Sequence, residues 1–239
     1  MARLDFERLT RDEIGLYAPS SVAILPTASI EQHGPHCPVG TDTMCCMAVA
    51  RGAAERTGED LRVFVCPPVH YAASHHHRPW PGVLSLKSTV FADVLQELLE
   101  SLEVSGFRRV FILNGHGGNQ FVIKQAANDF MLEYGHVQVV AESYWDVARE
   151  ALEAVPTPGL VSVPGHAGDF ETSLILYLDS TLVRRENIPV QAVPGGSSGW
   201  RGSGTSDDAS KASAELGQKY LDAAVAEVAN TVRSLAEGL

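Results

Sequence analysis

Four short apolar runs, at residues 21–26, 62–66, 109–113 and 136–141, punctuate this sequence, and stretches with helical spacing separate them. Strands that alternate with helices pair in parallel, because each helix carries the chain back to the edge it left. The pattern therefore predicts an α/β fold with a mostly parallel sheet covered on both faces. Helices are expected over residues 3–17, 43–56, 88–105, 120–134, 146–154, 167–178 and 209–235. In the third, Val90, Val94, Leu95, Leu98 and Leu102 recur at helical spacing, and Gly106 is a stop signal. The last is expected to be capped by Asp207 or Asp208. Neither a repeat nor a linker interrupts the 239 residues, so 1–239 reads as a single domain. Residues 190–206 are rich in Gly and Ser and read as a flexible loop or lid.

Composition narrows the partners. A net charge of −11 argues against nucleic acid or an anionic membrane as the main partner. Hydrophobic residues make up 45% of the chain, enough for a proper core. No run of about 18 apolar residues is present to span a membrane. The N-terminus lacks an apolar signal core. The four cysteines, Cys37, Cys45, Cys46 and Cys66, show no CxxC spacing, and two are adjacent. A cytoplasmic location is the expectation.

In a parallel sheet, ligands sit at the carboxyl ends of the strands. Two loops leave strands at that end. The first, Glu31-Gln-His-Gly-Pro-His-Cys-Pro-Val-Gly-Thr-Asp42, packs Glu31, His33 and Asp42 into a Gly/Pro-rich segment. Two carboxylates and an imidazole suit a hard or borderline divalent cation. Asp42 also reads as a helix cap. The second loop, Asn114-Gly-His-Gly-Gly-Asn119, places His116 as a further ligand, or forms half of a dinucleotide fingerprint with Glu142 as its acid. Glu171 shares a helix stripe with Leu174, Ile175 and Leu178, where a carboxylate needs a cation or strong donors. The alternative places it as a first-turn charge facing its own helix amides, a role that Asp169 fits better. His166 opens that helix, as a proton carrier or as a surface or cap histidine. The tract His75, His76, His77 lies in a third loop and is also compatible with a solvated surface.

Four ordered blocks, Ser29-Ile-Glu-Gln-His-Gly-Pro-His36 with Gly40-Thr-Asp-Thr43, Ser74-His-His-His-Arg-Pro-Trp-Pro-Gly82, Asn114-Gly-His-Gly-Gly-Asn119 and His166-Ala-Gly-Asp-Phe-Glu-Thr-Ser173, resemble the creatininase (creatinine amidohydrolase) family. The last 60 or so residues match only loosely. The resemblance implies a three-layer α/β/α sandwich, often a hexamer. It also implies two divalent cations per chain (zinc or manganese, with iron as a further option) that serve hydrolysis of amide-type C–N bonds. Carried onto this chain, Glu31, His33, Asp42 and His116 fall on ligand positions, with Asp42 bridging. Two positions depart from creatininase proper. Gly118 stands where it has a glutamate ligand, and Glu171 is the inferred substitute. Ser162 stands where it has a tryptophan that clamps creatinine, for which Trp145, Trp80 or Trp200 are candidate replacements.

The resulting expectation is a metal-dependent amidohydrolase acting on a creatinine-like lactam, a formamide or a peptide-like amide. A water shared by the two cations would attack, and His166 would donate a proton to the departing nitrogen. His75, His76 and Trp145 are candidate substrate contacts. A small-molecule amide and further copies of the chain are the expected partners. Two rivals share the ligand chemistry: a two-metal phosphoesterase and a non-catalytic metal-binding scaffold.

Overall fold

The computed structural model describes residues 3–157, 162–189 and 204–238. Five strands, β1 (Arg3–Asp5), β2 (Val22–Thr27), β3 (Val63–Val65), β4 (Arg109–Asn114) and β5 (Gln138–Ser143), form one sheet in the order β1-β3-β2-β4-β5. Every neighbouring pair is parallel. The α-helices of the described residues are α1 (Arg11–Tyr17), α2 (Thr41–Arg56), α3 (Ser88–Val104), α4 (Gln120–Glu133), α5 (Tyr144–Val147), α6 (Arg149–Glu153), α7 (Asp169–Asp179) and α8 (Ala214–Glu237).

The strands read as unbroken apolar runs because both faces of the sheet are buried. Alternate residues supply different cores. Val22, Ile24, Val63, Val65, Phe111 and Leu113 pack with α2, α7 and α8. Ala23, Leu25, Phe64, Val110 and Ile112 pack with α3 and α4 on the other face. Two cores on two faces make the expected three-layer α/β/α sandwich.

Local differences from the sequence expectation have local causes. Residues 3–17 are not one helix. Arg3–Asp5 pairs with β3 as an edge strand, and α1 begins only after Thr10, which forms a reciprocal capping box with Glu13. On α3 the buried stripe is Phe91, Leu95, Leu99 and Leu102, while Val90 is 42% exposed. The bulky Phe91 wins the inward position. The segment expected as one helix at 146–154 is two short ones, and it begins earlier, at Tyr144. The last helix starts at Ala214 rather than Ala209, and its cap is Ser213, which accepts a hydrogen bond from Leu216 N. Asp208 instead turns the chain by accepting from Ser210 N at 2.8 Å. The segment before α8 is thereby free to tie onto α7, where Asp169 accepts from Lys211 N at 2.9 Å and Ser173 from Ser213 N at 3.1 Å. The Gly/Ser-rich lid expectation falls largely at 190–203, outside the described residues.

Along the sheet the chain moves outward from β2 to β3, then crosses to the other side of β2 for β4. The crevice between the carboxyl ends of β2 and β4 is thus the switch point where such sheets bind ligands. Both ligand-rich loops start there, from paired residues Thr27 and Asn114.

Helices α7 and α8 make intimate contact at Gly217, where an added Cβ would lie 1.9 Å from the Ser173 carbonyl oxygen. Alanine is the better helix former by about 1 kcal/mol, yet overpacking against backbone costs about 1–3 kcal/mol. Gly217→Ala is therefore expected to lower the urea midpoint of unfolding with little change in the slope. An unchanged or raised midpoint would show that the helices separate freely there.

Candidate metal centre

The β2 loop is held in place by main-chain bonds before any side chain matters. Ala28 N donates to Val69 O at 3.0 Å, Leu84 N to Ile30 O at 2.9 Å, and Glu31 N to Val39 O at 3.1 Å. The β4 loop is tied to it, because Gly115 N donates to Thr27 O at 2.8 Å. A side chain at Gly115 would run into Cys46 on α2, with Cβ atoms 2.6 Å apart. The β4 loop can therefore lie directly on α2, whose first turn carries Asp42.

Side-chain amides fix the rest of the β4 loop. Asn114 accepts from His116 N at 3.1 Å and donates to His116 O at 2.7 Å and to Ser143 Oγ at 2.9 Å. Asn119 donates to Ala28 O at 3.2 Å and accepts from Ala73 N at 3.1 Å. His116 Nε2 lies 3.2 Å from Ala73 O, so this nitrogen donates and Nδ1 faces the carboxylates. His33 is oriented in the opposite sense, with Nδ1 3.2 Å from Glu31 O and Nε2 turned inward.

The inward atoms converge. His33 Nε2 lies 3.0 Å from Asp42 Oδ1 and 3.6 Å from Glu171 Oε2. His116 Nδ1 lies 3.1 Å from Asp42 Oδ2 and 3.2 Å from Glu31 Oε2. These contacts define the groups Glu31–Asp42–His116 and His33–Asp42–Glu171, in each of which the ligand atoms lie within 4.8 Å of one another. Asp42 belongs to both and addresses each with a different oxygen. The helix-cap alternative for Asp42 does not hold, since α2 begins at Thr41 after Gly40 and Asp42 points into the cluster.

Glu171 reaches this cluster from α7. Ala167, whose left-handed backbone (φ 53°) precedes the helix, donates its N–H to Glu171 Oε2 at 2.6 Å. Gly118 cannot carry a ligand here: an added Cβ would lie 2.3 Å from Ala73 O and 2.5 Å from His116 Nε2. The carboxylate thus enters from the opposite wall.

The donor set fits divalent cations. It holds three buried carboxylates and two imidazoles, the oxygen and nitrogen ligands of zinc or manganese. His33 Nε2 and Asp42 Oδ2 make no hydrogen bond although both are buried. Unsatisfied buried polar atoms among clustered ligand groups are what a cation would satisfy.

Burial alone would lower the His116 pKa, but Glu31 and Asp42 push it up to about 10. Burial opposes protonation of His33 too, and Asp42 and Glu171 outweigh it and hold its pKa well above the ordinary value. Glu31 would rise on burial, yet His116, His33 and His77 hold it well below the carboxylate range. By contrast, burial lowers His166, helped by His33, and drives His77 down to about 3.

His166 lies beside the cluster. Its Nδ1 is 3.7 Å from Glu31 Oε1 and its ring centroid 4.5 Å from that of His33. It lines a cavity of about 170 Å³ together with His76, Trp145 and Gly117. His76 stacks on His116 with centroids 5.6 Å apart. His75 departs from the expected substrate contact: its Nδ1 turns to Ser85 Oγ at 2.5 Å and it does not line the cavity. Of the candidate clamp residues, Trp145 reaches the cavity wall, Trp80 does not, and Trp200 lies outside the described residues. The dinucleotide alternative also fails, because His116 turns into the carboxylates and Glu142 pairs with Lys124 at 2.9 Å.

Ser74 and Gln32 shape the site without a chemical flag in sequence, and His77, flagged only as part of a histidine tract, proves to face a ligand position. Ser74 donates to Glu31 Oε2, and His77 Nε2 lies 3.2 Å from Glu31 Oε1. Gln32 sits between two ligand positions, and its amide lies against both His77 and His166. The pair Asn114 and Asn119 also offered a signal, as loop-bonding side chains at both ends of a glycine-rich turn.

Comparison with known proteins places the chain in a family. The family model for creatininase (creatinine amidohydrolase) matches residues 7–232. The chain is 28% identical over 243 residues to the creatinine amidohydrolase of Pseudomonas putida, covering 92% of each protein. It is 34% identical over 168 residues to the mycofactocin precursor peptide peptidase of Mycolicibacterium smegmatis, covering 68% of this chain and 60% of the peptidase. A solved manganese form of creatininase superposes with a TM-score of 0.82 at 28% identity, covering 98% of both chains.

Protons on His33 and His116 compete with a cation for the same lone pairs. Since both pKa values are raised, loss of these protons continues up to about pH 10 for His116. Zinc affinity, measured by chelator competition at pH 6, 7 and 8, should rise by at least about tenfold per pH unit. A flat profile would mean that neither imidazole is a ligand.

Proposed function

Because the chain belongs to the creatininase family, we propose that it is a metal-dependent amidohydrolase cleaving a C–N bond at the carboxyl ends of β2 and β4. The observation that carries the site assignment is Asp42, shared between two ligand groups through its two oxygens. In this reading Glu31, His33, Asp42, His116 and Glu171 would hold the two cations, with Asp42 shared between the two groups. Zinc or manganese suits the donors. The bound pair supplies Lewis-acid polarisation of the amide carbonyl and an activated water. His166, with Nδ1 turned to Glu31 at the cavity, holds the proton that the departing nitrogen needs. His76 and Trp145 contact the substrate from the cavity wall. Ser162 is exposed and small, so the clamp that closes on creatinine in creatininase has no counterpart at that position, which favours a linear or peptide-like amide.

A homo-oligomer, with a hexamer as the specific expectation, belongs to the same proposal. Tyr71 and Leu84 support it, each 53% exposed beside one shared groove. A cytoplasmic location is supported by four free, buried cysteines. Among the described residues no helix is long and apolar enough to cross a membrane. The whole chain as one domain is supported by the single sheet with its two continuous cores.

Elemental analysis of protein purified without chelator should find about two divalent cations per chain. Glu171→Ala should lose one, and Asp42→Ala at least one together with nearly all turnover. His166→Ala should keep both and lose about 10²–10⁴-fold in kcat. Metal loss in His166→Ala that parallels its activity would make that residue a ligand instead.

Substrate class is tested with creatinine, N-substituted formamides, short peptides and a phosphate monoester. Turnover of an amide that stops on chelation is the expected result. Turnover of the phosphate alone would favour the phosphoesterase reading, and turnover of none the scaffold.

A further inference from the structure

Gln32 lies between Glu31 and His33 in sequence, and its side chain reaches Gly34, His77 and His166. It is buried, and its orientation is fixed from two sides. Gly34 N donates to Gln32 Oε1 at 2.9 Å. Gly204 packs so closely that an added Cβ would lie 2.3 Å from the same oxygen. Gly34 holds a left-handed conformation (φ 64°) in which an added Cβ would meet Thr205 and His36, so this anchor is itself available only to glycine.

With Oε1 committed as an acceptor, the Gln32 amide nitrogen must face the other way. There it lies 2.9 Å from His77 Nδ1 and 2.9 Å from His166 Nε2. An amide NH₂ only donates. His77 Nδ1 therefore accepts, and a neutral His77 carries its proton on Nε2, the nitrogen 3.2 Å from Glu31 Oε1. His166 Nε2 also lies 2.9 Å from the Gln32 main-chain oxygen, so that ring is held by Gln32 through one nitrogen whichever contact it uses. Nδ1 is then the nitrogen turned to Glu31. The rings of His77 and His166 lie against each other, with centroids 4.4 Å apart.

We propose that Gln32 is a positioning residue: its side-chain amide sets the tautomer of His77, and its amide and main-chain oxygen together hold the ring of His166. Through His77 it presents Nε2 to the Glu31 carboxylate, and through His166 it holds a ring that lines the cavity. Both consequences rest on the proposed site: the first on Glu31 serving as a ligand, the second on His166 serving as proton carrier. Metal ligands depend on such outer partners, whose loss typically costs about 10–100-fold in affinity or activity.

The test is the nitrogen-15 spectrum of histidine-labelled, zinc-supplemented full-length protein, with the His77 signals assigned from their loss in His77→Asn. The wild type should show His77 protonated on Nε2 and bare on Nδ1. Gln32→Glu keeps the acceptor for Gly34 but presents a second acceptor to His77, so the proton should move to Nδ1. Gln32→Met removes the donor, and a mixture of the two tautomers is expected. With whichever amide is turned over, Gln32→Glu should lower kcat about 10–100-fold with KM little changed. A wild-type His77 protonated on Nδ1, or a Gln32→Glu variant whose tautomers match the wild type, would overturn the proposal. These spectra need no turnover, so a failure of the positioning role is distinguishable from a failure of amide hydrolysis.

Discussion

Asp42 is 3% exposed and offers one oxygen to His33 and the other to His116, at 3.0 and 3.1 Å. A buried carboxylate costs several kcal/mol unless it is paired, and here it has two further carboxylates for neighbours. Three negative groups so close together must be balanced by positive charge, whether protons on the imidazoles or divalent cations. The same electrostatic demand explains both the raised pKa values of His33 and His116 and the affinity for metal that the site should have. It also sorts the histidines. Those against Asp42 are pushed up by the carboxylates, while at His77 and His166 burial outweighs the carboxylates and pushes them down. The cluster is thereby divided into groups suited to hold a cation and groups suited to orient or move a proton.

The fold delivers these groups by bringing backbones unusually close. Parallel pairing places Thr27 opposite Asn114, so two loops start side by side at the switch point of the sheet. Gly115 lets the second loop rest on α2, and the Asn114 and Asn119 amides then hold it against Ala28, Ala73 and Ser143. On the far wall, the contact of α7 with α8 at Gly217 and the ties from Asp169 to Lys211 and Ser173 to Ser213 fix the helix that carries Glu171. The absence of a side chain at Gly118 is part of the same arrangement. Its neighbours occupy the space that a glutamate would need, and the carboxylate comes from Glu171 instead.

Alternation of apolar runs with helical stretches was enough by itself to specify a parallel sheet buried on both faces, because strand and helix periods are imposed by local backbone geometry. The two Gly-rich loops were legible for the same reason: Glu31, His33, Asp42 and His116 lie within short segments whose placement follows from the strands before them. What tertiary structure alone decided are relations between distant segments. The resemblance already implied Asp42 as bridging and Glu171 in place of a ligand at Gly118, but that Asp42 turns a different oxygen to each histidine, that Ala73 and His116 close the space at Gly118, and that Gln32 spans His77 and His166 all depend on packing between elements far apart in the chain. His75 turns away to Ser85, a rotation that spacing does not encode. The helix boundaries at Arg11 and Ala214 belong here too, since an edge pairing and a docking segment competed there with local helical preference. Sequence periodicity carries the direction of each element, whereas the meeting of side chains depends on how elements pack, and that is settled only by the folded chain.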